Sequence, residues 1–335
     1  MRTRTDNPFV PGSDSIPAVW AGRAAELADF RDEVRVRRLA GAYERGRVFI
    51  GEPGIGKSVL AGRIARDARE LGDLVLPTIR LPRGDDPVPL LAAAVAEAIT
   101  SRSLGARVGA LAADLSERIT AISAGVTVRL DASRPATPAH RQLREALLVL
   151  ATLAAGDGVA LVVHVDEVQN ITDRDAMSQL LVVLGDVLSA TRTATDSAGN
   201  PHERHLPVVV VLTGLWNFVD DATRAAGATF ARRFKPYHLA ALEDADVRTA
   251  LAPFTSTGWR VLTDDGPAAV TMTAPAVDRL VDAVRGDPFL LQLVGKAAWD
   301  AGDGPVIDLD DVCAAVEVAR GEMRHHAERA LERLP

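Results

Sequence analysis

The chain has 335 residues, a formal net charge of −7 at pH 7 and a hydrophobic content of 47%. This composition is that of a globular protein, and the acidic balance disfavours nucleic acid as the main ligand. A single cysteine, Cys313, excludes a disulfide framework or a multi-cysteine metal site within one chain. Because no signal peptide and no apolar run of ~20 residues is visible, the expected location is cytoplasmic, with no membrane partner.

Helical and extended patterns alternate along the first half of the chain. The predicted elements are an extended arm over 1–19, a helix over 22–45, a strand over 47–50, a helix over 58–71, a strand over 74–81, a helix over 89–100, a helix around 111–122, an added strand over 126–130 and a helix from Thr137 to about 155.

The second half begins in the same way and then becomes helical. It is predicted to contain a strand over 159–165, a helix over 175–189, a polar loop over 191–206, a strand over 208–212, a helix over 222–233, a strand over 235–239, and then helices alone over 243–253, 275–285, 288–301 and 308–331. Strands that alternate with helices predict a parallel sheet covered on both faces. Three regions follow: an N-terminal arm and helix (1–45), an α/β domain (46–240) and a helical lid (241–335).

Residues 51–58 read Gly-Glu-Pro-Gly-Ile-Gly-Lys-Ser and match the complete phosphate-loop pattern, between a predicted strand and a predicted helix. Backbone N–H groups of such a loop surround phosphates, the lysine reaches the β- and γ-phosphates, and the serine hydroxyl is a Mg²⁺ ligand. Lysine is scarce here, with only three among 38 basic residues. The predicted nucleotide-binding residues of this segment are Glu52, Pro53, Gly54, Ile55, Gly56, Lys57, Ser58 and Val59.

A second motif is the apolar strand that ends in Asp166 and Glu167. In P-loop proteins such a strand lies beside the phosphate loop. Asp166 is then expected to hold Mg²⁺ through water, while Glu167 orients or deprotonates the attacking water. His164, inside the same strand, is interpreted as a core histidine.

With both motifs placed, the chain resembles the AAA+ ATPases, and within them the bacterial branch related to the origin-recognition and STAND ATPases. The resemblance implies a three-layer P-loop NTPase fold of the ASCE/AAA+ type, with a parallel sheet and a C-terminal helical lid. It also implies ATP or ADP with Mg²⁺ as cofactors. The absence of an Asn-Lys-x-Asp motif favours adenine over guanine.

Four further segments are similar to motifs of this family and indicate more site residues. Gly22 and Arg23 open a box similar to the family's "GR-x-x-E", and the preceding Val19 and Trp20 are the candidates for the adenine pocket. Thr213, after the strand over 208–212, is similar to the sensor-1 residue that contacts the γ-phosphate or the lytic water. The last sites implied by the resemblance are an arginine finger, with Arg233 the first choice and Arg232 the second, and a lid proline, Pro288, packed on the nucleotide.

Together these motifs predict a Mg²⁺-dependent ATPase that acts as a conformational or assembly switch, with turnover that is slow without a partner. The helix after Pro288 has no arginine before Lys296, which departs from family members with a sensor-2 arginine and disfavours a fast motor. The resemblance implies a homo-oligomer with active sites at subunit interfaces. Two alternatives stay open: an ATP-regulated DNA-binding protein of the origin-recognition or transposition-helper type, and a STAND-like signalling or defence module.

Overall fold

The computed structural model describes residues 2–12, 15–100, 119–123, 138–227, 232–263 and 266–331. Its contacts divide the chain into two compact units. The first, here called the sheet unit, consists of Ala24–Glu52 and Leu60–Leu239; the second, the terminal unit, consists of Met1–Arg23, Pro53–Val59 and Ala240–Pro335.

The sheet unit is built on a parallel sheet. Its strands are β1 (Gly46–Ile50), β2 (Leu74–Val75), β3 (Ile79–Arg80), β4 (Leu161–Asp166), β5 (Thr191–Thr195), β6 (Pro201–His205), β7 (Val208–Gly214) and β8 (Phe234–His238). The order across the sheet is β2-β4-β7-β1-β8, with β3 also paired to β4, and every one of these pairs is parallel. The central strands are buried along their whole length, as their continuous valine, leucine and isoleucine runs require. This confirms the predicted α/β parallel sheet.

Helices flank this sheet. They are α1 (Ala24–Ala28), a π-helical stretch (Asp29–Val34), α2 (Arg35–Leu39), α3 (Lys57–Glu70), α4 (Pro87–Thr100), α5 (Ala139–Asp157), a 3₁₀ turn (Val168–Asn170), α6 (Arg174–Ser189) and α7 (Phe218–Ala226). The first three pieces replace the single helix predicted over 22–45. The predicted strand over 126–130, most of the predicted helix around 111–122, and Thr137 lie outside the described residues.

Three predictions for this unit were wrong in detail. The strand over 74–81 is divided in two, because Pro77 has no N–H to donate to the sheet. The polar loop over 191–206 is an antiparallel hairpin of β5 and β6, whose strands pair with each other and expose most of their side chains. The helix over 222–233 begins earlier, at Phe218, and α7 ends where Gly227 takes a positive φ of 63°.

The terminal unit combines helices with a small sheet. Its elements are α8 (Asp244–Ser256), β9 (Trp259–Thr263), β10 (Gly266–Met272), α9 (Ala274–Val284), α10 (Pro288–Asp300), β11 (Val306–Ile307) and α11 (Leu309–Leu331). The strand order β11-β10-β9 contradicts the prediction of helices alone. Because β9 and β10 bury only alternate apolar residues such as Val261 and Val270, they give no continuous hydrophobic signal in the sequence.

The N-terminal arm is part of the core of the terminal unit rather than a separate extension. Phe9 and Val19 are both 1% exposed, and the Phe9 ring stacks on Phe254 with 5.7 Å between centroids. Arg2 is also buried and donates to Asp311 Oδ2 at 2.7 Å and to two backbone carbonyls. Within the described part of the chain, no helix is long and apolar enough to cross a membrane.

Candidate nucleotide-binding and hydrolysis site

The tip of the phosphate loop has the backbone form that anion binding requires. Gly54 and Gly56 have φ of 85° and 88°, which glycine adopts without strain, and α3 begins directly after them at Lys57. A Cβ on Gly56 would meet nothing within 4 Å, so the loop is open on that side. The first turn of α3 contains no acidic residue, so no side-chain carboxylate there would repel a phosphate at this helix N-terminus. These features fit a nucleotide's phosphates.

Arg23 supports this loop tip from within the terminal unit. Its Nη2 donates to the carbonyl of Ile55 at 3.1 Å and to that of Ala240 at 2.9 Å. The preceding Gly22 has φ 63°, and a Cβ there would lie 2.8 Å from Leu242 Cδ2. A larger residue at 22 would have to adopt this positive φ and displace Leu242, both of which glycine avoids. Because Arg23 donates to backbone carbonyls on both segments, its geometry is that of a residue that positions the loop.

The predicted adenine-side residues belong to the same unit as the loop tip. The Val19 carbonyl accepts from Gln292 Nε2 at 2.9 Å, and Trp20 Nε1 donates to the Gly22 carbonyl at 2.9 Å. Pro288 is the first residue of α10, whose N-terminus is capped by the preceding aspartate. Contact of Val19 and Trp20 with the adenine, and of Pro288 with the nucleotide, stays a prediction.

The acid pair lies in the sheet unit, where β4 ends. Asp166 is 1% exposed, and its Oδ1 accepts a hydrogen bond from Thr213 Oγ1, at the end of the neighbouring strand β7. Glu167 has φ 62° and ψ 40°, the left-handed conformation that costs a non-glycine residue about 1 kcal/mol or more. Its backbone N–H donates to Thr213 Oγ1 at 3.3 Å. Both acids are thus held by one threonine.

This arrangement changes the interpretation of Thr213. A threonine hydroxyl has one proton to donate, and here that proton is directed to Asp166. The Thr213 hydroxyl is thus engaged by the acid pair in this structure. The geometry makes it a residue that fixes Asp166 and Glu167, whereas the resemblance implied direct contact with the nucleotide.

Two further groups surround Asp166. Arg80 Nη2 lies 3.3 Å from Asp166 Oδ2. His164 lies in the same strand, and Thr78 Oγ1 is 3.3 Å from its Nδ1. Burial lowers the pKa of His164 to about 4, with Arg80 acting in the same direction and Asp166 opposing it. His164 is therefore neutral at pH 7, as a core histidine would be, and brings no positive charge to the site.

One residue of the site was missed in the sequence. Gln169, in the 3₁₀ turn after β4, donates from Nε2 to Glu167 Oε2 and accepts the Leu215 N–H at its Oε1 over 3.1 Å. It stands only two positions after Glu167, but its second partner is 46 residues further along the chain. Spacing alone could not reveal that bridge.

The two candidate arginine fingers differ in their surroundings. Arg233 Nη1 lies 2.9 Å from Asp186 Oδ1 on α6, and the Arg233 side chain is 25% exposed. The adjacent Arg232 is exposed, and it forms no ion pair with any residue the structure describes. Arg233 is thus paired within its own chain and Arg232 is exposed; an arginine-finger role for either stays a prediction.

The donors proposed for Mg²⁺ are a hydroxyl on Ser58 and a carboxylate on Asp166, both hard oxygen ligands. Among the described residues, no group of three or more His, Cys, Asp or Glu could hold a metal ion. A dedicated cage of protein ligands is thus not found there. The donor set fits an ion that takes its remaining ligands from phosphates and water, which is how Mg²⁺ usually binds beside a nucleotide.

The sheet order places the end of β1 and the acid pair at the same edge of the sheet unit. β7 lies between β1 and β4, and in register Ile50 faces Gly214 while Val165 faces Leu212. Because the strands are parallel, their carboxyl ends meet at the same edge, where ligands bind in open α/β sheets. The chain enters the phosphate loop at Gly51 from the edge that carries Asp166 and Glu167. The phosphate loop follows β1, and the acid pair ends β4, which is separated from β1 by β7 alone. These two features define a P-loop nucleotide-binding protein.

Comparison with known proteins identifies the family. The model of the AAA ATPase domain family matches residues 19–211, more than half of the chain, and the chain belongs to that family of ATP-binding proteins. No curated protein is similar enough in sequence to count as a relative.

Two of the solved structures that are similar to this chain illustrate the shared fold. The ORC1 protein of Aeropyrum pernix, solved in complex with DNA, is 16% identical with a TM-score of 0.53, over 96% of this chain and 70% of that one. The ORC2 protein of the same organism, solved as ADPNP-ADP complexes, is 15% identical with a TM-score of 0.52, over 94% of this chain and 71% of that one. At this identity the likeness concerns the fold.

Proposed function

We propose that this protein hydrolyses ATP to ADP and phosphate with Mg²⁺, and that it acts as a nucleotide-dependent switch. The observation that carries the proposal is the set of hydrogen bonds fixing Asp166 and Glu167 at the end of β4. Asp166 is buried and Glu167 has a strained backbone; both features are costly to a fold, and such features are concentrated at functional sites.

Each residue has a role that its chemistry supports. The amides of the loop over Glu52–Gly56 bind the phosphates, and Lys57 neutralises charge on the β- and γ-phosphates. Ser58 and Asp166 would hold the Mg²⁺, which when bound would supply further positive charge to stabilise the reacting phosphates. Glu167 orients the water and accepts its proton as the water oxygen bonds to the γ-phosphorus and the bond to the leaving ADP oxygen breaks. Val19 and Trp20 contact the adenine, and Pro288 packs on the nucleotide.

The lid favours a switch over a fast motor. Helix α10, which follows the Gly-Asp-Pro segment, contains no arginine, and its lysine, Lys296, lies 2.9 Å from Asp300 on the same helix. This helix therefore offers no free cation to stabilise transition-state charge. DNA as a ligand, and a signalling role of the STAND type, rest on family likeness alone, and no contact among the described residues favours either.

The first test is the metal dependence of turnover. Purified protein with ATP and Mg²⁺ is expected to release phosphate slowly, and excess EDTA should reduce the rate to background, because Asp166 and Ser58 bind the phosphates only through the ion. Phosphate release is followed with a coupled assay, and added Mg²⁺ should restore it. Equal rates with EDTA and with Mg²⁺ would contradict the proposal.

We further propose that active sites are completed between subunits by Arg232. Arg232→Ala is expected to reduce kcat by about 10³-fold or more and to remove any rise of specific activity with protein concentration, because a finger arginine neutralises transition-state charge. The matched control is Arg233→Ala. Since Arg233 is paired with Asp186 in its own chain, that change should alter stability by less than about 1 kcal/mol and leave turnover near wild type. Loss of turnover in Arg233→Ala but not in Arg232→Ala would identify Arg233 as the arginine finger.

A further inference from the structure

We infer that Gln169 is a positioning residue for hydrolysis: it holds the Glu167 carboxylate in the orientation needed to act on water. The inference rests on the proposed ATPase function. It adds to that function a residue that neither the phosphate-loop motif nor the acid pair includes.

The side-chain amide of Gln169 joins two elements of the sheet unit. Its Nε2 donates to Glu167 Oε2, and its Oε1 accepts the N–H of Leu215 over 3.1 Å. Leu215 follows β7 directly, so the bridge connects the end of β4 to the end of the strand beside it. The carboxylate is therefore fixed relative to the sheet edge rather than to its own turn alone.

The surroundings make this bridge rigid. Asn170 N–H donates to the Glu167 carbonyl at 2.9 Å, and the Asn170 side chain donates to the Leu81 carbonyl at 2.8 Å. The turn that carries Gln169 is thus tied to the chain beyond β3. On the other side, a Cβ on Gly214 would lie 3.0 Å from Val168 Cγ2 and 3.3 Å from Gln169 Oε1. Because Gly214 has no side chain, the Gln169 amide has room beside it.

An amide is suited to this bridge because it has a donor end and an acceptor end. The Glu167 carboxylate needs a donor, and the Leu215 N–H needs an acceptor. A glutamate at 169 would keep the second bond but oppose Glu167 with a like charge. An alanine would lose both. With Oε2 of Glu167 engaged, Oε1 remains for the water, and a displacement of about 1 Å in such a group reduces turnover by about 100-fold.

The test compares Gln169→Ala and Gln169→Glu with the wild type. Both variants are expected to lower kcat by about 10- to 100-fold while KM and the Kd for a non-hydrolysable ATP analogue stay within about twofold. The thermal unfolding midpoint should remain close to that of the wild type. Gln179→Ala, the same change at an exposed position on α6, is the matched control and should alter none of these quantities.

A double-mutant cycle separates positioning from general support. In a Glu167→Gln background, Gln169→Ala should cause no further loss, because the group that Gln169 positions is already inactive. Full additivity, or wild-type turnover in Gln169→Glu, would overturn the inference, since the Leu215 contact alone would then be what matters. An active wild type with an equally active Gln169→Ala removes this inference only. A wild type without Mg²⁺-dependent turnover removes the proposed function as well.

Discussion

Replacing Lys57 with alanine is expected to weaken ATP binding by about 10- to 150-fold, which corresponds to the loss of about 1.5–3 kcal/mol of charge-assisted hydrogen bonding. Lys57 is the first residue of α3 and is 7% exposed, so its side chain is largely shielded from solvent. The triphosphate would lose a point charge that water replaces poorly. ADP binding should weaken less than ATP binding, because the γ-phosphate depends on Lys57 most.

Titration calorimetry with a non-hydrolysable ATP analogue and with ADP measures both affinities. The matched control is Lys296→Ala, which removes another of the three lysines in the chain, one that is 48% exposed and paired with Asp300. That variant should bind both nucleotides as the wild type does. Equal ATP affinity in Lys57→Ala and the wild type would remove the phosphate loop from the binding site and with it the proposed function.

Replacing Glu167 with glutamine is expected to lower kcat by about 10²- to 10⁴-fold while ATP affinity stays near wild type, because the amide keeps the shape of the side chain but is no base. Glutamine can still accept from Gln169 through its amide oxygen, so the network around Asp166 and Thr213 should persist. The variant should therefore remain folded and bind ATP without releasing phosphate.

Single-turnover phosphate release and analogue binding distinguish the two effects. Glu317→Gln, the same substitution on the exposed surface of α11, is the control and should leave turnover unchanged. If Glu167→Gln lost nucleotide affinity together with turnover, Glu167 would serve binding rather than chemistry. If it kept full turnover, another group would have to accept the proton.

The phosphate loop and Asp166 lie where the sequence predicted them. Both predictions depend on short, contiguous sequence motifs. The phosphate loop lies between β1 and α3 as expected, and Asp166 ends β4, because an apolar run that stops at a charged residue marks a buried parallel strand and its edge. Their places in the fold could therefore be predicted from the sequence.

The elements that were missed depend on distant partners. The β5–β6 hairpin is rich in threonine and charged residues, and its strands are recognisable only through pairing with each other. β9 and β10 bury too few residues to be distinguished from loops. Gln169 needs Leu215, and the ion pair of Arg233 needs Asp186 on another helix. None of these contacts has a local pattern, so only the folded chain reveals them.

The hydrogen bonds by which Arg23 supports the phosphate loop have a consequence for biosynthesis. One of its two carbonyl partners, Ala240, stands 217 residues downstream. At ribosomal rates of about 5–20 residues per second, that carbonyl is made on the order of 10–40 s after the arginine. During this interval the loop tip lacks one of the contacts that support it, and closing so long a segment carries an entropic penalty that local helices avoid. A growing chain therefore completes this support of the phosphate loop only after Ala240 has been made.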